Sequence, residues 1–299
     1  MRTRVIVALS LLAAGALLAS GCGGPPSGAA ERPQASPSAA TAEPVTAAQV
    51  AAVADLVSTL DNGRYEYFQF VVSADGGTAG SEDVPIARGA RSETGERLTA
   101  ELGVDSAFAA ENGTTTRLNV LAADDRVCMN APFYERIVDQ AGPSDEVAWM
   151  VPLIDGWGCL DADDVVDATG VPSASLELGT ENRYLGMVEV LRSARVVSTE
   201  PGTYRGMPVN EAVVELDPVS VGSRFSVYAD GAGAPDGTAV VRFSARTGEV
   251  VAIRSTLTFS FGMVVTEHLE IYDRGAVELI ELPDDATDIT EPISRVLAD

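Results

Sequence analysis

The sequence predicts an α+β fold in which helices lie on one face of a single antiparallel β-sheet. Amphipathic helical periodicity occurs early in the chain, at 46–60, and again in mid-chain, at 182–195. The last third instead contains segments that alternate apolar and polar residues, which is typical of antiparallel strands with one covered and one solvated face. Helices followed by a run of strands favour an α+β arrangement.

The first helix is predicted over residues 46–60. Thr46 is a suitable N-cap, because its hydroxyl can accept a hydrogen bond from a free backbone N–H of the first turn. An Asn-Gly pair at 62–63 ends the helix, since both residues tolerate the left-handed conformation. Apolar residues recur along one face at helical spacing: Val50, Val53, Val57 and Leu60.

Strands are predicted where aromatic, β-branched and alternating residues are concentrated. The first runs over 65–73 and is followed by a glycine-rich loop at 75–80, and a hairpin follows over 115–129. The segment 130–182 mixes helical stretches with turn residues and gives no clear assignment. Beyond the helix at 182–195, strands are predicted at 195–199, 209–216, 238–245, 250–261 and 264–272.

The first 22 residues have the pattern of an exported and lipidated leader. Two arginines precede an apolar run that is shorter than the about 20 residues a membrane-spanning helix needs. The run ends at Leu18-Ala19-Ser20-Gly21-Cys22, which resembles the lipobox of bacterial lipoproteins, with leucine one position earlier than is usual. Cys22 is therefore expected to carry the lipid anchor. A plain secretory leader with a chance cysteine is the alternative.

The residues after Cys22 predict a spacer and then one folded domain. Residues 23–46 are dominated by Gly, Pro, Ser, Ala and Thr, a composition that buries too little apolar surface to offset the entropy of ordering. The predicted organisation is a signal peptide at 1–22, a disordered tether at 23–46 and a domain at 47–299. We expect a monomer that is anchored to the cell membrane on its extracytoplasmic face.

The charge of the chain disfavours nucleic acid as a partner. The chain has 44 acidic and 20 basic residues and a formal net charge of −24, whereas a nucleic-acid-binding surface must be basic. Every basic residue is an arginine, and Ala, Gly and Val are abundant. This usage indicates a GC-rich genome such as that of an actinobacterium.

Cys128 and Cys159 are predicted to form a disulfide. Export would place them in an oxidising compartment, where a cysteine pair is most simply a bridge. In the chain-entropy account, a loop of this length contributes roughly 3.5 kcal/mol to the free energy of unfolding. A metal-binding pair is the alternative, although no histidine lies near either cysteine in the sequence.

An acidic cluster at 155–167 has two interpretations. Aspartates at alternating positions occur in calcium loops, but the sixth position from Asp161 is Val166 and the twelfth is Pro172, where such a loop has glycine and glutamate. Acidic residues are also favoured in the first turn of a helix. We therefore expect Asp161 to cap a helix that runs through Asp167 and expect no metal site, with calcium as the alternative.

The sequence contains no recognisable catalytic constellation, and we expect neither an enzyme nor a cofactor. The single histidine, His268, lies in a predicted strand with Thr266 and Glu270 on the same side, which predicts a solvent-exposed polar face. The motifs of nucleophilic serine, nucleotide-phosphate, dithiol and zinc sites are absent. A hydrolase is retained only as a third alternative.

The order of elements resembles that of the mycobacterial LppX/LprG lipoprotein family, which shares the half-barrel fold of the lipoprotein carrier LolA. The resemblance spans about residues 47–290 as a pattern of elements. It departs at 74–97 and 130–182, which are longer than expected, and in the cysteine pair. Three stretches carry it: 195–216 with Tyr204-Arg205-Gly206-Met207-Pro208-Val209, the long hairpin 236–261, and Tyr272-Asp273-Arg274-Gly275 with the Pro and acidic residues at 281–286.

The resemblance implies a curved sheet whose concave face holds the helices around a hydrophobic cavity for acyl chains. It therefore implies a protein that binds lipid or lipoglycan and shields acyl chains during transfer across the envelope. The alternative is a LolA-like sensor or scaffold that binds another protein and fills this face with its own side chains. The cavity would be lined by residues that could equally be ordinary core: Val241, Phe243, Val251, Ile253, Leu257, Phe259, Phe261, Val265, Leu269 and Ile271.

Overall fold

A computed structural model describes residues 44–56, 60–101, 117–123, 126–142, 144–169, 185–224 and 235–298. The predicted leader, Cys22, the tether up to residue 43 and Val57 lie outside the described residues. Val45 and Thr46, at the end of the predicted tether, lie inside them, and Val45 is buried in the core.

Within these residues, thirteen strands form one open sheet. Their order across the sheet is β13-β7-β6-β5-β4-β3-β1-β12-β11-β10-β9-β8, and β2 pairs with β1 beyond the end of β3. The strands are β1 Gly63–Val72, β2 Thr78–Ser81, β3 Ala87–Ser92, β4 Gly95–Glu101, β5 Arg117–Ala123, β6 Arg126–Asn130, β7 Gly158–Asp161, β8 Arg195–Tyr204, β9 Met207–Glu215, β10 Asp236–Ser244, β11 Val250–Thr258, β12 Val264–Tyr272 and β13 Thr287–Asp288.

The helices are short and form two groups. One group contains α1, the two 3-10 helices and α6, and the other contains α2, α3, α4, α5 and α7. In the described part of the chain, no helix is long and apolar enough to span a membrane. The bounds are α1 Ala47–Ala52, 3-10 Val53–Asp55, α2 Tyr134–Ala141, α3 Asp145–Ala148, α4 Val151–Asp155, α5 Ala162–Thr169, 3-10 Leu185–Ser193, α6 Pro218–Arg224 and α7 Thr290–Ala298.

The main core lies between these helices and one face of the sheet, here called the helix face. Because successive strand side chains point to opposite faces, alternate residues of each strand reach this core. Tyr65 and Tyr67 of β1 belong to it, as do Leu269 of β12 and Val50 of α1. Both helix groups contribute buried side chains to the same continuous apolar cluster.

A second and smaller apolar cluster lies on the opposite face, here called the outer face. It contains Leu121 of β5, Cys128 of β6, Cys159 of β7 and Ile280 from the segment between β12 and β13. Leu121 and Cys128 are on the outer face because their strand neighbours Val120 and Met129 belong to the main core. The outer face is therefore covered locally by the chain that follows β12.

The predicted fold class is confirmed, with one difference at the edge of the sheet. Helices pack on the concave face of a single curved sheet, as the sequence predicted. The paired strands are antiparallel except β13 and β7, which are parallel, so the sheet is mixed there. The predicted strand 264–272 and the N-cap role of Thr46 are confirmed: the Thr46 hydroxyl accepts from Gln49 N at 3.2 Å.

Several element boundaries were predicted wrongly. The glycine-rich loop at 75–80 contains the start of β2, and β3 and β4 were not predicted. The predicted strand over 250–261 ends earlier, at Thr258. The last third also ends in a helix, α7, where no helix was predicted.

Candidate functional site

An apolar layer crosses the helix face of β9–β12. The cross-strand register places Ala212, Val241, Ile253 and Leu269 in one row, which continues to Tyr67 of β1. All five side chains are buried in the main core. Because directly opposed side chains of an antiparallel pair lie about 4.5–5.5 Å apart at Cβ, the row forms an uninterrupted apolar surface across five strands.

A second row lies four residues further along β11 and β12 on the same face. Leu257 of β11 is opposed by Val265 of β12, and Val265 is opposed by Val71 of β1. On the other side of Leu257, the register places Gly237 of β10. A Cβ atom on Gly237 would lie 2.8 Å from a methyl carbon of Leu257, so the missing side chain makes room for that leucine.

The short helices of the first group cover this apolar layer. They contribute buried side chains that belong to the same cluster as the strand residues. The residues that cover the layer are Val50 of α1, Val53 of the first 3-10 helix, Leu56 and Leu60 after it, Val188, Val190 and Leu191 of the second 3-10 helix, and Val221 of α6.

Most of the predicted lining residues lie together in the core beneath the first helix group. Two do not: Val251 is half-buried outside the apolar clusters, and Phe261 is 47% exposed in the turn after β11. A bulge next to Phe243 makes Val250, not Val251, its cross-strand partner. The residues that lie together are Val241, Phe243, Ile253, Leu257, Phe259, Val265, Leu269 and Ile271.

A buried carboxylate interrupts the apolar layer at its centre. Glu267 is 1% exposed and lies between Gln69 of β1 and Ser255 of β11 in the register. The Tyr67 hydroxyl donates to Glu267, and the Ser255 hydroxyl lies 3.5 Å from its other carboxylate oxygen. These hydrogen bonds offset part of the cost of removing the carboxylate from water. Glu267 was not predicted as part of the site, although a glutamate among the inward positions of β12 indicates a buried carboxylate.

A second buried carboxylate lies further along the helix face. Glu96 of β4 accepts a hydrogen bond from the Tyr65 hydroxyl at 2.6 Å, and Arg91 Nε lies 3.6 Å from its other oxygen. The Tyr65 ring lies over Gly89 of β3, where an added Cβ would come within 1.9 Å of a ring carbon. Gly89 therefore provides the space that this tyrosine needs to reach Glu96.

The expectation that His268 lies on a solvent-exposed face was wrong. The residue is on the outer face, but its side chain is 16% exposed because the end of the β8–β9 hairpin folds over it. The Tyr204 hydroxyl lies 3.1 Å from His268 Nε2 and also donates to Glu270. Since β9, β10 and β11 separate β8 from β12 in the sheet, Tyr204 reaches its partners by crossing the outer face.

The hydrogen bonds of Tyr204 indicate which nitrogen of the His268 imidazole carries a hydrogen. A tyrosine hydroxyl carries one hydrogen, and Tyr204 donates it to the Glu270 carboxylate, so His268 Nε2–H donates to the Tyr204 oxygen. Burial is the main cause that lowers the pKa of His268 to about 4, and neighbouring guanidinium groups add to it. Burial and the bond to Glu270 raise the pKa of Tyr204.

Charged side chains from β10, β11 and the β8–β9 turn lie near His268. Three arginines near the imidazole are each paired with a glutamate, so the positive charges are balanced locally. The pairs are Arg205–Glu270 at 2.7 Å, Arg242–Glu211 at 2.9 Å and Arg254–Glu82 at 2.9 Å, and the Arg242 guanidinium also lies 4.9 Å from the Tyr204 ring centroid.

The predicted disulfide between Cys128 and Cys159 is confirmed. The two residues are direct cross-strand partners on β6 and β7. The predicted N-cap is also present, since Asp161 accepts from Asp164 N at 3.0 Å at the start of α5. Among the described residues, no three His, Cys, Asp or Glu side chains form a group that could hold a metal ion.

Comparison by sequence identifies no relative. No protein-family model matches the chain. No curated protein sequence matches it either.

Several solved structures are similar in fold. LprF from Mycobacterium bovis is 9% identical with a TM-score of 0.37, over 79% of this chain and 96% of LprF. LppX from Mycobacterium tuberculosis is 9% identical with a TM-score of 0.38, over 79% and 97%. A LolA superfamily protein from Nitrosomonas europaea is 10% identical with a TM-score of 0.22, over 80% and 96%. These likenesses concern the fold alone.

Proposed function

We propose that the protein is a non-enzymatic envelope lipoprotein whose helix face binds the acyl chains of a lipid or lipoglycan. The lipobox-like leader would hold the domain at the extracytoplasmic face of the membrane. The observation that carries the proposal is the apolar layer on β9–β12, which, among the described residues, is covered on the helix side by short helices. Acyl chains would lie against this layer and be shielded from water during transfer.

The covering helices are too short to be stable without packing against the sheet, so a ligand could displace them from it. They contain six, three, nine and seven residues, whereas isolated helices shorter than about 12–15 residues are marginal in water. Their order therefore depends on packing against the sheet. An acyl chain offers comparable contacts, because each buried methylene contributes about 0.8 kcal/mol. Ligand binding would exchange one apolar contact for another.

The proposal is tested by mass spectrometry of an organic extract. The chain from Gly23 onward, which lacks Cys22, is secreted from an actinobacterial host behind a cleavable leader, so that its own anchor cannot contribute lipid. We expect a near-stoichiometric lipid that survives purification and is lost when the domain is unfolded in urea. A folded protein whose extract contains no lipid, and which takes none from added vesicles, would contradict it.

A second candidate function is a sensor or scaffold that binds another protein. The observation in its favour is that the side chains of the layer already contact other side chains of this chain, Val241 and Leu269 being fully buried. A layer that stays filled in this way needs no ligand. Lipid-free protein that captures one specific envelope protein at equal stoichiometry would favour this candidate.

A further inference from the structure

The segment between β12 and β13 crosses the outer face directly over the disulfide. Residues 276–286, here called the strap, contain no strand. Ile280 of the strap is buried against Cys128 and Cys159, and Val277 and Leu282 pack around the same cluster. Cys128 is 0% exposed and Cys159 is 1% exposed, so no solute reaches either sulfur in this arrangement.

Side chains at the ends of β1 and β3 hold the strap by its backbone, and Ser92 Oγ also accepts from Ile280 N at 3.3 Å. Asn62 donates from Nδ2 to the carbonyl of Val277 at 3.0 Å and accepts from Val277 N at 3.0 Å. Thr94 accepts from Ile280 N at 3.0 Å and donates to the carbonyl of Ile280 at 3.1 Å. Asn62 and Thr94 thus each satisfy both polar groups of one strap residue. These paired hydrogen bonds satisfy backbone N–H and C=O groups of the strap, as inter-strand hydrogen bonds do within the sheet.

The chain after the strap wraps around the same edge of the sheet. β13 pairs with β7, and Ile289 N donates to the carbonyl of Cys159 at 2.8 Å. Ile289 and Ile293 then enter the main core on the helix face. The C-terminal segment therefore encloses β7, a strand of four residues, and the disulfide joins that strand to β6.

We infer that the strap and the disulfide form one redox-sensitive lock on the β7 edge. The bridge is reduced only when the strap lifts, and its reduction loosens β7 together with the C-terminal segment. In the reaction, a thiolate of a small dithiol attacks one Sγ, the Sγ–Sγ bond breaks, and the other Sγ leaves as a thiolate. The second thiol of the reagent then displaces the first Sγ, so the reagent is oxidised to a cyclic disulfide and the protein holds two thiols.

The test measures how fast dithiothreitol reduces the disulfide of the full-length protein under native conditions. Cys22 is blocked first. The reaction is then quenched with iodoacetamide, and the added alkyl groups are counted. Asn62→Ala and Thr94→Ala each remove two strap hydrogen bonds, and we expect each to raise the rate on the order of tenfold. Asn119→Ala is the matched control. Asn119 also makes two side-chain hydrogen bonds on the outer face, with Thr99 and Asn130, and neither partner belongs to the strap.

The second readout is amide hydrogen exchange of the reduced and oxidised forms. We expect faster exchange at 158–161 and 287–298 after reduction, with no change in β10–β12. Global unfolding rates are measured for each variant, so that an effect of general stability is separated from strap opening. The inference is overturned if the unaltered protein is reduced as fast as the urea-unfolded chain. It is equally overturned if the Asn62→Ala, Thr94→Ala and Asn119→Ala variants are reduced at the same rate.

Discussion

The imidazole of His268 stacks on the ring of Phe68, its direct cross-strand neighbour, with ring centroids 5.3 Å apart. Tyr204 lies against the imidazole at an angle, with its ring centroid 6.2 Å away. The two aromatic rings enclose the only histidine of the chain between β1 and the β8–β9 hairpin. The hairpin is therefore held to the rest of the outer face through a side chain that stays uncharged at neutral pH.

Acid should destabilise the domain through His268. In the unfolded chain the imidazole binds a proton near pH 6.5. In the folded protein its pKa is lowered to about 4, so it binds the proton only at a lower pH. The free energy of unfolding therefore falls as the pH drops from about 6.5 to about 4, by at most about 3 kcal/mol, less what solvent screening removes. Urea unfolding of the protein and of His268→Gln across this range isolates the effect from that of the carboxylates. Parallel pH curves for the two proteins would contradict the assignment.

Loss of the Tyr204 hydroxyl should loosen the same hairpin. Tyr204→Phe removes the donor to the buried Glu270 and leaves that carboxylate with one partner fewer, which should lower the free energy of unfolding by about 2 kcal/mol. The control is Tyr272→Phe on the same face, a residue that is 37% exposed, and this change should alter stability by less than about 0.5 kcal/mol. Equal unfolding midpoints for the two variants would show that Tyr204 contributes no such bond.

The strands with strict alternation could be predicted from the sequence, and the others could not. The segment 264–272 alternates except at Glu267 and matches β12 residue for residue. β3 reads Ala-Arg-Gly-Ala-Arg-Ser, which lacks β-branched and aromatic residues, and it is a strand because its partners β1 and β4 impose the pairing. Here tertiary context overrides the local propensity.

Some residues of the candidate site could likewise be placed from the sequence, and others could not. Val241, Ile253 and Leu269 could be placed on one face because alternation holds along each of their strands. Val251 was misplaced because a bulge shifts the register by one residue, and nothing local in the sequence marks it. The contact of Tyr204 with His268 joins residues 64 positions apart. It depends on the path of the hairpin across the outer face from β8 to β12, which periodicity does not describe.

Gly89→Ala should unfold much of the β1–β3–β4 region. A methyl group there would overlap the Tyr65 ring, which is fully buried and hydrogen-bonded to Glu96 and so has no free direction in which to move. Overpacking of this kind costs about 1–3 kcal/mol, and displacement of the Tyr65–Glu96 bond adds to it. Thermal unfolding is compared with that of Gly202→Ala, where the three atoms nearest to the added methyl all belong to the Glu211 side chain. Similar melting temperatures for the two variants would contradict this packing.

A tryptophan at position 257 should block lipid binding while leaving the domain folded. Leu257 lies on the helix face beside Gly237, so a larger side chain would occupy the volume where an acyl chain is proposed to lie. Thr256→Trp is the matched control, because it introduces the same side chain one residue away on the outer face. Both variants are checked for the native circular dichroism spectrum and then assayed for uptake of a fluorescent fatty-acyl probe. Uptake should fall at least tenfold in Leu257→Trp and remain unchanged in Thr256→Trp. If both variants take up the probe as the unaltered protein does, the acyl chains bind elsewhere and the helix face is ordinary core.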